Sequence, residues 1–435
     1  MKTITLLGVG STYFTKGIVE SILKQGGAWD IRMCDIDETR LDIAMKLGER
    51  LLDFYGKTHV KISGNTDRLR VLEGADVVVS TIGVGGRKAW EQDVLMFRPF
   101  NIYQSTGDTF GAGGLSRALR TIPVLLDIAR DIEQLCPNAL FVNFTNPMSV
   151  NCWALNKYTK IKTIGLCYGV TYFQHFLAEL IGADFAETWS KAIGVNHFTW
   201  ITEMTKNGRD AWPLVREAIA QKPDIRSGNP YTWDLFDAFG VFPTVGDGHI
   251  SEFMPGLQHE GAYYGKTMGT SLDAGHDFVK YAAHWDDVFA DMAKQAYGRK
   301  PIEPMADNQD VATFRDEDLF TEVLLAYMGE GPAVERTVNL RNNGIVANLP
   351  PDCIVEVTTL VNSTGFHPYA CGALPAGLNA IMQRVVASHA LTVEASVSGN
   401  RALVIQALMA DCVALNLADA EGIANVIFEA YRGYF

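Results

Sequence analysis

The chain has no apolar run long enough to cross a bilayer as a helix. Its seven cysteines form no CxxC or other paired spacing. That excludes the finger-type zinc motifs that sequence alone can reveal. An odd number of scattered cysteines fits free thiols in a reducing compartment, not a disulfide framework. Basic residues are also scarce: 37 Lys and Arg stand against 50 Asp and Glu, for a net charge of −13. This balance argues against nucleic acid or an anionic membrane surface as the partner. No internal repeat or low-complexity tract is visible. The opening Met1-Lys2-Thr3-Ile4-Thr5-Leu6-Leu7-Gly8 goes straight into a strand pattern with no cleavage-site signature, so a cytoplasmic protein is expected. What remains is an ordinary globular composition, 48% hydrophobic and 20% charged over 435 residues. That length can bury a large core and suggests two or three domains.

The first 195 residues read as a dinucleotide-binding domain. Ile4-Thr5-Leu6-Leu7 is a buried parallel strand by its continuous apolar character. It runs into Gly8-Val9-Gly10-Ser11-Thr12 and then a segment with Ile18, Val19, Ile22 and Leu23 at helical spacing. Glycines let a backbone turn tightly against a pyrophosphate, and the amides of the next helix face its charge. A second strand, Ile31-Arg32-Met33-Cys34, ends at Asp35, where an acid grips the ribose hydroxyls of NAD and disfavours NADP. Tyr13 replaces the third glycine of GxGxxG, so the order strand, turn, helix, acid carries the reading. Strand-like runs at 75–82 and 139–143 extend a doubly wound parallel sheet. Ligands bind such sheets at the carboxyl ends of strands, where Gly83, Gly85, Gly86, Asn143 and Asn146 fall. Residues 196–435 read as an α+β substrate and oligomerisation domain, with a strand over 355–361 and helices over 376–395 and 401–415.

Four polar clusters interrupt the apolar segments. Gln104-Ser105-Thr106-Gly107-Asp108-Thr109-Phe110-Gly111, followed by Arg117 and Arg120, reads as loop and not core. Asp108 is placed to accept sugar hydroxyls. The arginines are either ligands for a carboxylate or phosphate, or structural partners of Asp108. In Asn143-Phe144-Thr145-Asn146-Pro147-Met148, the proline biases Asn146 towards an extended backbone, aiming its amide across the strand end. Cys167 and His197 are each more often structural than functional when met singly, and the thirty residues between them make no local metal signature. Beside a nicotinamide, however, a thiolate and an imidazole suggest one divalent ion facing one hydride acceptor.

In this order the motifs resemble glycoside hydrolase family 4. The resemblance rests on Gly8-Val9-Gly10-Ser11, Asp35-Ile36-Asp37, Arg117-Ala118-Leu119-Arg120-Thr121-Ile122-Pro123, Asn146-Pro147-Met148, Gly165-Leu166-Cys167, Gly194-Val195-Asn196-His197 and Leu391-Thr392-Val393-Glu394-Ala395. It implies a lactate/malate dehydrogenase-like fold that assembles as dimers or tetramers. It also implies NAD and a divalent ion, typically Mn²⁺, the latter held by Cys167 and His197. It implies hydrolysis by hydride removal at C3, proton removal at C2 and elimination of the C1–O bond, with NAD regenerated each cycle. Asn146 and Asp108 would contact the sugar, with Arg117 beside them.

Tyr168 departs from the family pattern. Members acting on unphosphorylated sugars usually carry His after the metal cysteine, and phospho-glycosidases carry Asp or Asn. A tyrosine can donate a proton but is a weaker acid, which leaves the leaving-group acid open. The segment Gly246-Asp247-Gly248-His249-Ile250-Ser251-Glu252 resembles the α-galacturonidase/α-galactosidase-like branch, and Asp247 and His249 are its candidates for proton transfer. With no dense basic cluster for a dianionic phosphate, an unphosphorylated α-hexoside or α-uronide is expected. The alternatives are a 6-phospho-glycosidase of the same family and an NAD-dependent sugar or hydroxy-acid dehydrogenase.

Overall fold

The structure, a computed structural model, describes residues 1–11, 14–254, 278–305, 316–411 and 416–434, with short strands at 258–259, 262–263 and 266–267. Thr12, expected at the cofactor, and Tyr13 lie outside the described residues. The amino-terminal half runs β1 (Lys2–Leu7), α1 (Phe14–Gln25), β2 (Trp29–Cys34), α2 (Glu38–Tyr55), β3 (Lys61–Gly64), α3 (Leu69–Leu72), β4 (Val77–Ser80), α4 (Gly86–Leu95), α5 (Gly111–Leu135), β5 (Leu140–Asn143), α6 (Met148–Tyr158), β6 (Lys162–Gly165) and α7 (Gly169–Leu180). Then follow β7 (Thr188–Val195), β8 (Phe198–Lys206), β9 (Arg209–Asp210), α8 (Trp212–Gln221), α9 (Pro230–Phe239), β10 (Phe242–Pro243) and α10 (Asp247–Ile250). The rest comprises the three short strands β11–β13, α11 (Phe278–Ala296), α12 (Asp316–Met328), β14 (Val334–Arg341), β15 (Ile354–Asn362), β16 (Gly365–Pro368), α13 (Ala376–Ser398), α14 (Arg401–Ala410) and α15 (Leu417–Ala430).

One sheet of thirteen strands runs through the described residues, its main path ordered β10-β8-β7-β15-β14-β6-β5-β4-β1-β2-β3. The six strands from β6 to β3 are parallel and have the Rossmann order, with the reversal between β1 and β4. Their side chains alternate between two cores. Leu6, Val77, Val79 and Val142 pack with helices α1, α2 and α12, while Leu7, Val78 and Phe141 pack with α5, α6 and α13. Both faces are covered, which is why these strands read as continuous apolar runs rather than alternating ones. The other half is antiparallel, and α7, α8 and α9 cover it around Trp233, Phe236 and Phe242. The terminal helices α13–α15 pack against α4 and α5. The division expected after residue 195 falls in the β7–β8 turn, within this continuous sheet.

Caps match the sequence at several ends. Asp37 accepts the amides of Thr39 and Arg40 to start α2, and Gly56, at φ +63°, ends it. None of the six cysteines among the described residues is in a disulfide. No helix among those residues is long and apolar enough to cross a membrane.

The register of the sheet positions the site. Cys34, Leu7, Ser80, Asn143 and Gly165, the last residues of β2, β1, β4, β5 and β6, lie side by side in one transverse row. The row continues through Asn339, Glu356, Gly194 and Thr199 on the antiparallel strands. The loops that leave the parallel strands after this row therefore share one edge, and the chemistry-bearing residues sit there.

Candidate active site

The glycine turn follows β1 at the reversal of strand order. Gly8 has φ +89°, and a Cβ there would lie 2.9 Å from the backbone of Ile82, so the position requires glycine. The Gly10 amide donates to Asp35 Oδ2 at 2.7 Å, and Arg40 Nη1 donates to Gly10 O at 2.8 Å. Asp35 thus grips the turn from the end of β2. Ser11 Oγ accepts the Phe14 amide at 3.4 Å at the start of α1. No acidic residue stands in the first turn of α1 to face the positive end of the helix dipole.

Asn143, expected at the cofactor, is fully buried, and its amide folds back onto Thr145 O at 2.9 Å while Thr145 N donates to its Oδ1 at 3.3 Å. Its place at a strand end is as expected; its side chain is spent on shaping the turn that presents Asn146. Asn146 Nδ2 donates to Asp108 Oδ2 at 2.9 Å, and Arg117 Nε donates to Asn146 O at 3.1 Å. The three expected sugar contacts are therefore together. Asn146 Oδ1 is buried with no partner. Arg120 is not a partner of Asp108. Its guanidinium forms a buried ion pair with Asp93, stacks on the Tyr431 ring and donates to Val84 O.

The polar 104–114 segment, expected as loop, is largely buried. Its polar groups satisfy one another, which is what makes burial tolerable. Gln104 bridges Phe110 O and Gly113 N at 2.7 Å each. Glu252 Oε1 accepts the amides of Thr106 and Gly107 at 2.7 and 2.8 Å. Burial pushes the Glu252 carboxyl up to about 8 against those two amides.

His197 is the centre of the site. It occupies the two-residue connection of the β7–β8 hairpin, between Val195 and Phe198, which face each other in register. Its φ is +63°, a region that costs a residue with a Cβ roughly 1–2 kcal/mol. Nδ1 lies 2.7 Å from Thr109 Oγ1, which in turn lies 2.6 Å from Asp108 Oδ1. A hydroxyl carries one proton. Donated to the carboxylate, it leaves Thr109 as acceptor for Nδ1–H, and the Nε2 lone pair is then turned towards Cys167. Burial, reinforced by His249 and opposed by Asp108, holds the His197 imidazole neutral, down to about 3. Burial would raise Asp108, but the protonated forms of His249 and His197, with Arg117 and Thr109, outweigh it and hold the carboxyl below the usual carboxylate range.

His197 Nε2 lies 3.6 Å from Cys167 Sγ. Sulfur and nitrogen ligands on one tetrahedral ion, at bonds of about 2.3 and 2.0–2.1 Å, are about 3.5 Å apart, so this separation suits a shared ion. Asp108, His197 and His249 bring one ligand atom each within 4.8 Å of one another. The His249 ring centroid is 3.9 Å from that of His197, and its Nδ1 is buried with no partner. Orphaned Nδ1 of His249 and Oδ1 of Asn146, a neutral His197 and a nearby thiol make a donor set that fits a divalent ion with oxygen ligands added from a substrate.

Asp247, expected beside His249 in proton transfer, faces the other way. Its carboxylate accepts Tyr231 N at 2.9 Å, Thr232 N at 2.7 Å and Thr232 Oγ1 at 2.8 Å, capping the start of α9. An acid at a helix start is a stabilising device, and both oxygens are committed to it. Tyr168 precedes α7 and packs edge-on against Tyr172, with centroids 6.3 Å apart. Gly169 behind it admits Val245, which would lie 2.1 Å from a Cβ there. That close approach brings the Cys167 turn against the 244–249 segment. Sequence reasoning missed Thr109, Glu252 and Glu356. Glu356 is an acid inside the buried run Ile354–Val361, and Glu252 stands one helical turn after His249; both were visible as charges in apolar surroundings.

A Rossmann-ordered sheet with this site at its carboxyl edge is the frame of an NAD-dependent enzyme. Residues 3–183 match the family described as family 4 glycosyl hydrolase, and residues 192–414 match its C-terminal domain. The chain is 30% identical to an alpha-galactosidase of Bacillus subtilis, over 99% of this chain and 98% of that one. It is 29% identical to an alpha-galacturonidase of the same organism, over 82% of this chain and 81% of that one. A 6-phospho-beta glucosidase of Thermotoga maritima, solved with manganese, NAD⁺ and glucose-6-phosphate, shares the fold at a TM-score of 0.79 and 22% identity, over 100% of this chain and 99% of that one. The chain belongs to family 4 of the glycosyl hydrolases and is a glycosidase of that family.

Proposed function

We propose that the chain hydrolyses an unphosphorylated α-hexoside or α-uronide with NAD and one divalent ion, Mn²⁺ by preference, by the redox-elimination-addition route. The observation that carries this reading is the convergence of Cys167, His197, His249 and Asp108 at the sheet edge that also bears the glycine turn. When bound, the nicotinamide supplies a hydride acceptor for C3 and the ion stabilises negative charge on the sugar oxygens at C2 and C3.

The chain's own residues do the rest. The turn after Gly8 and the amino end of α1 face the pyrophosphate, and Asp35 accepts ribose hydroxyls through lone pairs left over from Gly10 and Asp37. Cys167 Sγ and His197 Nε2 hold the ion. His249 Nδ1 is its further ligand or the base at C2. Asn146 Oδ1 accepts a sugar hydroxyl, while Nδ2 keeps Asp108 in place. Tyr168 stands beside Cys167 as donor to the leaving oxygen.

An unphosphorylated substrate is favoured by two facts. Among the described residues, Arg117 is the one arginine acting on Asp108, and its Nε already serves Asn146 O. A single guanidinium suits a uronate or a neutral sugar better than a dianionic phosphate. The alpha-galactosidase and alpha-galacturonidase relatives point the same way. The reading includes assembly as a dimer or tetramer, for which exposed Val397, Met409 and Leu417 on the terminal helices offer apolar surface.

The test is a panel of chromogenic α- and β-galactosides, glucosides and galacturonides, with and without a 6-phosphate, in the presence of NAD⁺ and Mn²⁺. Turnover of an unphosphorylated α-glycoside is expected, with no net NADH. Turnover of phosphorylated glycosides alone overturns the substrate class, and NADH accumulating with product overturns hydrolysis.

A further inference from the structure

Glu356 lies on β15, in the transverse row behind the site, with 1% of its surface exposed. Three neutral groups hold its carboxyl: Asn339 Nδ2 at 2.7 Å and Asn196 Nδ2 at 3.1 Å donate to Oε1, and Thr199 Oγ1, which also lies 2.9 Å from Val195 O, is 2.6 Å from Oε2. A buried acid without a cation is costly, and an apolar residue would be the default on a central strand. Something other than packing keeps an acceptor there.

The geometry shows what it holds. Gly194 on β7 faces Glu356 in register and puts no side chain between Glu356 and β8. A Cβ on Gly194 would lie 2.4 Å from Phe198 O and 2.6 Å from Thr199 Cα, so the hairpin closes tightly there. Glu356 therefore reaches both sides of the Asn196–His197 connection, Asn196 before it and Thr199 after it. Asn196 N is tied in addition to Ser149 Oγ at 3.0 Å. Asn196 and Asn339 both turn Nδ2 to the acid and leave Oδ1 buried without a partner. Glu356 Oε1, accepting from both, is what fixes that orientation of the two amides. The left-handed backbone at His197, φ +63°, costs about 1–2 kcal/mol, which the fastening on either side offsets.

We propose that Glu356 is a positioning residue: through Asn196 and Thr199 it clamps the hairpin turn that aims His197 at Cys167 and Asp108, and so sets metal affinity without touching the metal. The inference rests on the reading of His197 as a metal ligand. A glutamine at 356 is nearly isosteric but supplies one acceptor and adds donors that face the donor amides of Asn196 and Asn339.

The test measures free Mn²⁺ by electron paramagnetic resonance, NAD⁺ affinity by fluorescence and unfolding in denaturant. It compares the parent chain with His197→Ala, Glu356→Gln, Asn196→Ala and the Glu356→Gln/Asn196→Ala double variant. Loss of outer partners of a metal ligand lowers metal affinity about 10–100-fold. Glu356→Gln and Asn196→Ala are each expected to weaken Mn²⁺ about ten-fold, with NAD⁺ affinity within about two-fold of the parent, and the double variant to lose no more than the weaker single one. If Glu356→Gln does not fold, Asn196→Ala cuts the same link and decides alone. Mn²⁺ affinity lost in His197→Ala but parental in the folded Glu356→Gln or in Asn196→Ala overturns this inference. No Mn²⁺ binding by the parent, or full binding by His197→Ala, overturns the metal reading beneath it.

Discussion

Asn146 Nδ2 donates to Asp108 Oδ2 at 2.9 Å and so joins the carboxyl end of β5 to the segment before α5. Through Thr109 the same carboxylate is linked to His197, at the tip of the β7–β8 hairpin. Three elements from distant parts of the chain thus meet through one acid. The arrangement leaves Asn146 Oδ1 and His249 Nδ1 as buried atoms with unmet hydrogen-bonding capacity, the usual mark of a site that awaits a ligand.

Removing the Asn146 amide should therefore hurt activity more than stability. Asn146→Ala takes a donor from Asp108 and an acceptor from the substrate, while Asn143 and Thr145 still hold the turn. Leaving a charged partner short of one hydrogen bond costs about 1–3 kcal/mol, so kcat/KM should fall roughly 10–100-fold with an unfolding midpoint close to the parent's. Parallel kinetics and denaturant melts check this, and unchanged kcat/KM would remove Asn146 from the site.

Cys167→Ser and His197→Ala should each lose Mn²⁺-dependent activity while NAD⁺ still binds. The glycine turn, Asp35 and Arg40 close on one another without either residue, so the nucleotide half is built independently of the pair. Equilibrium dialysis with Mn²⁺ and, separately, NAD⁺ distinguishes the two functions. A normal Mn²⁺ stoichiometry in both variants would refute the ligand assignment.

Asp247 and His249 are two residues apart and should separate cleanly. Asp247→Asn replaces one of the two oxygens that accept Tyr231 N and Thr232 N, so a buried donor at the start of α9 loses its acceptor at a cost of about 1–3 kcal/mol, while kcat stays near the parent's. His249→Ala should do the reverse, abolishing turnover with a small change in stability, because its Nδ1 makes no bond within the protein among the described residues. Denaturant titrations and initial rates on both variants check the contrast; a catalytic collapse in folded Asp247→Asn would restore it to the proton-transfer machinery.

The pattern of success and failure in the sequence has a physical basis. The nucleotide half was legible because its signals are local: an apolar strand, a glycine turn and an acid at the next strand end. Cys167, His197, Asp108 and Asn146 were found through motif order, and the structure brings all four together. Asn143 and Asp247 have side chains engaged within the protein. Each is a polar residue in the right loop, and only the direction of its side chain, which periodicity does not encode in loops, says that it serves a turn or a helix start. The burial of 104–114 was hidden because its partner Glu252 is about 145 residues away. Glu356 stood out as an acid in an apolar run, but a strand pattern does not record what such a residue reaches across the sheet.

His389, outside the Asp108–His197–His249 cluster, gives a pH test. It is buried on α13, edge-on to Phe110 at 5.7 Å between centroids, with Nε2 buried and unpartnered. Burial pushes its pKa down from 6.5 to about 3. The unfolded chain therefore takes up a proton near pH 6.5 that the folded chain refuses until about pH 3. The stability this site contributes is whole above pH 6.5 and is lost as pH falls through that window, at up to about 1.4 kcal/mol per pH unit. His389→Leu fills similar space and removes the titration. The drop in unfolding free energy between pH 7 and pH 5 should then be smaller in the variant than in the parent by roughly 2 kcal/mol. Urea titrations at the two pH values measure it, with every other titrating group common to both proteins. Parallel losses in parent and variant would show that His389 takes up its proton in the folded chain as readily as in the unfolded one.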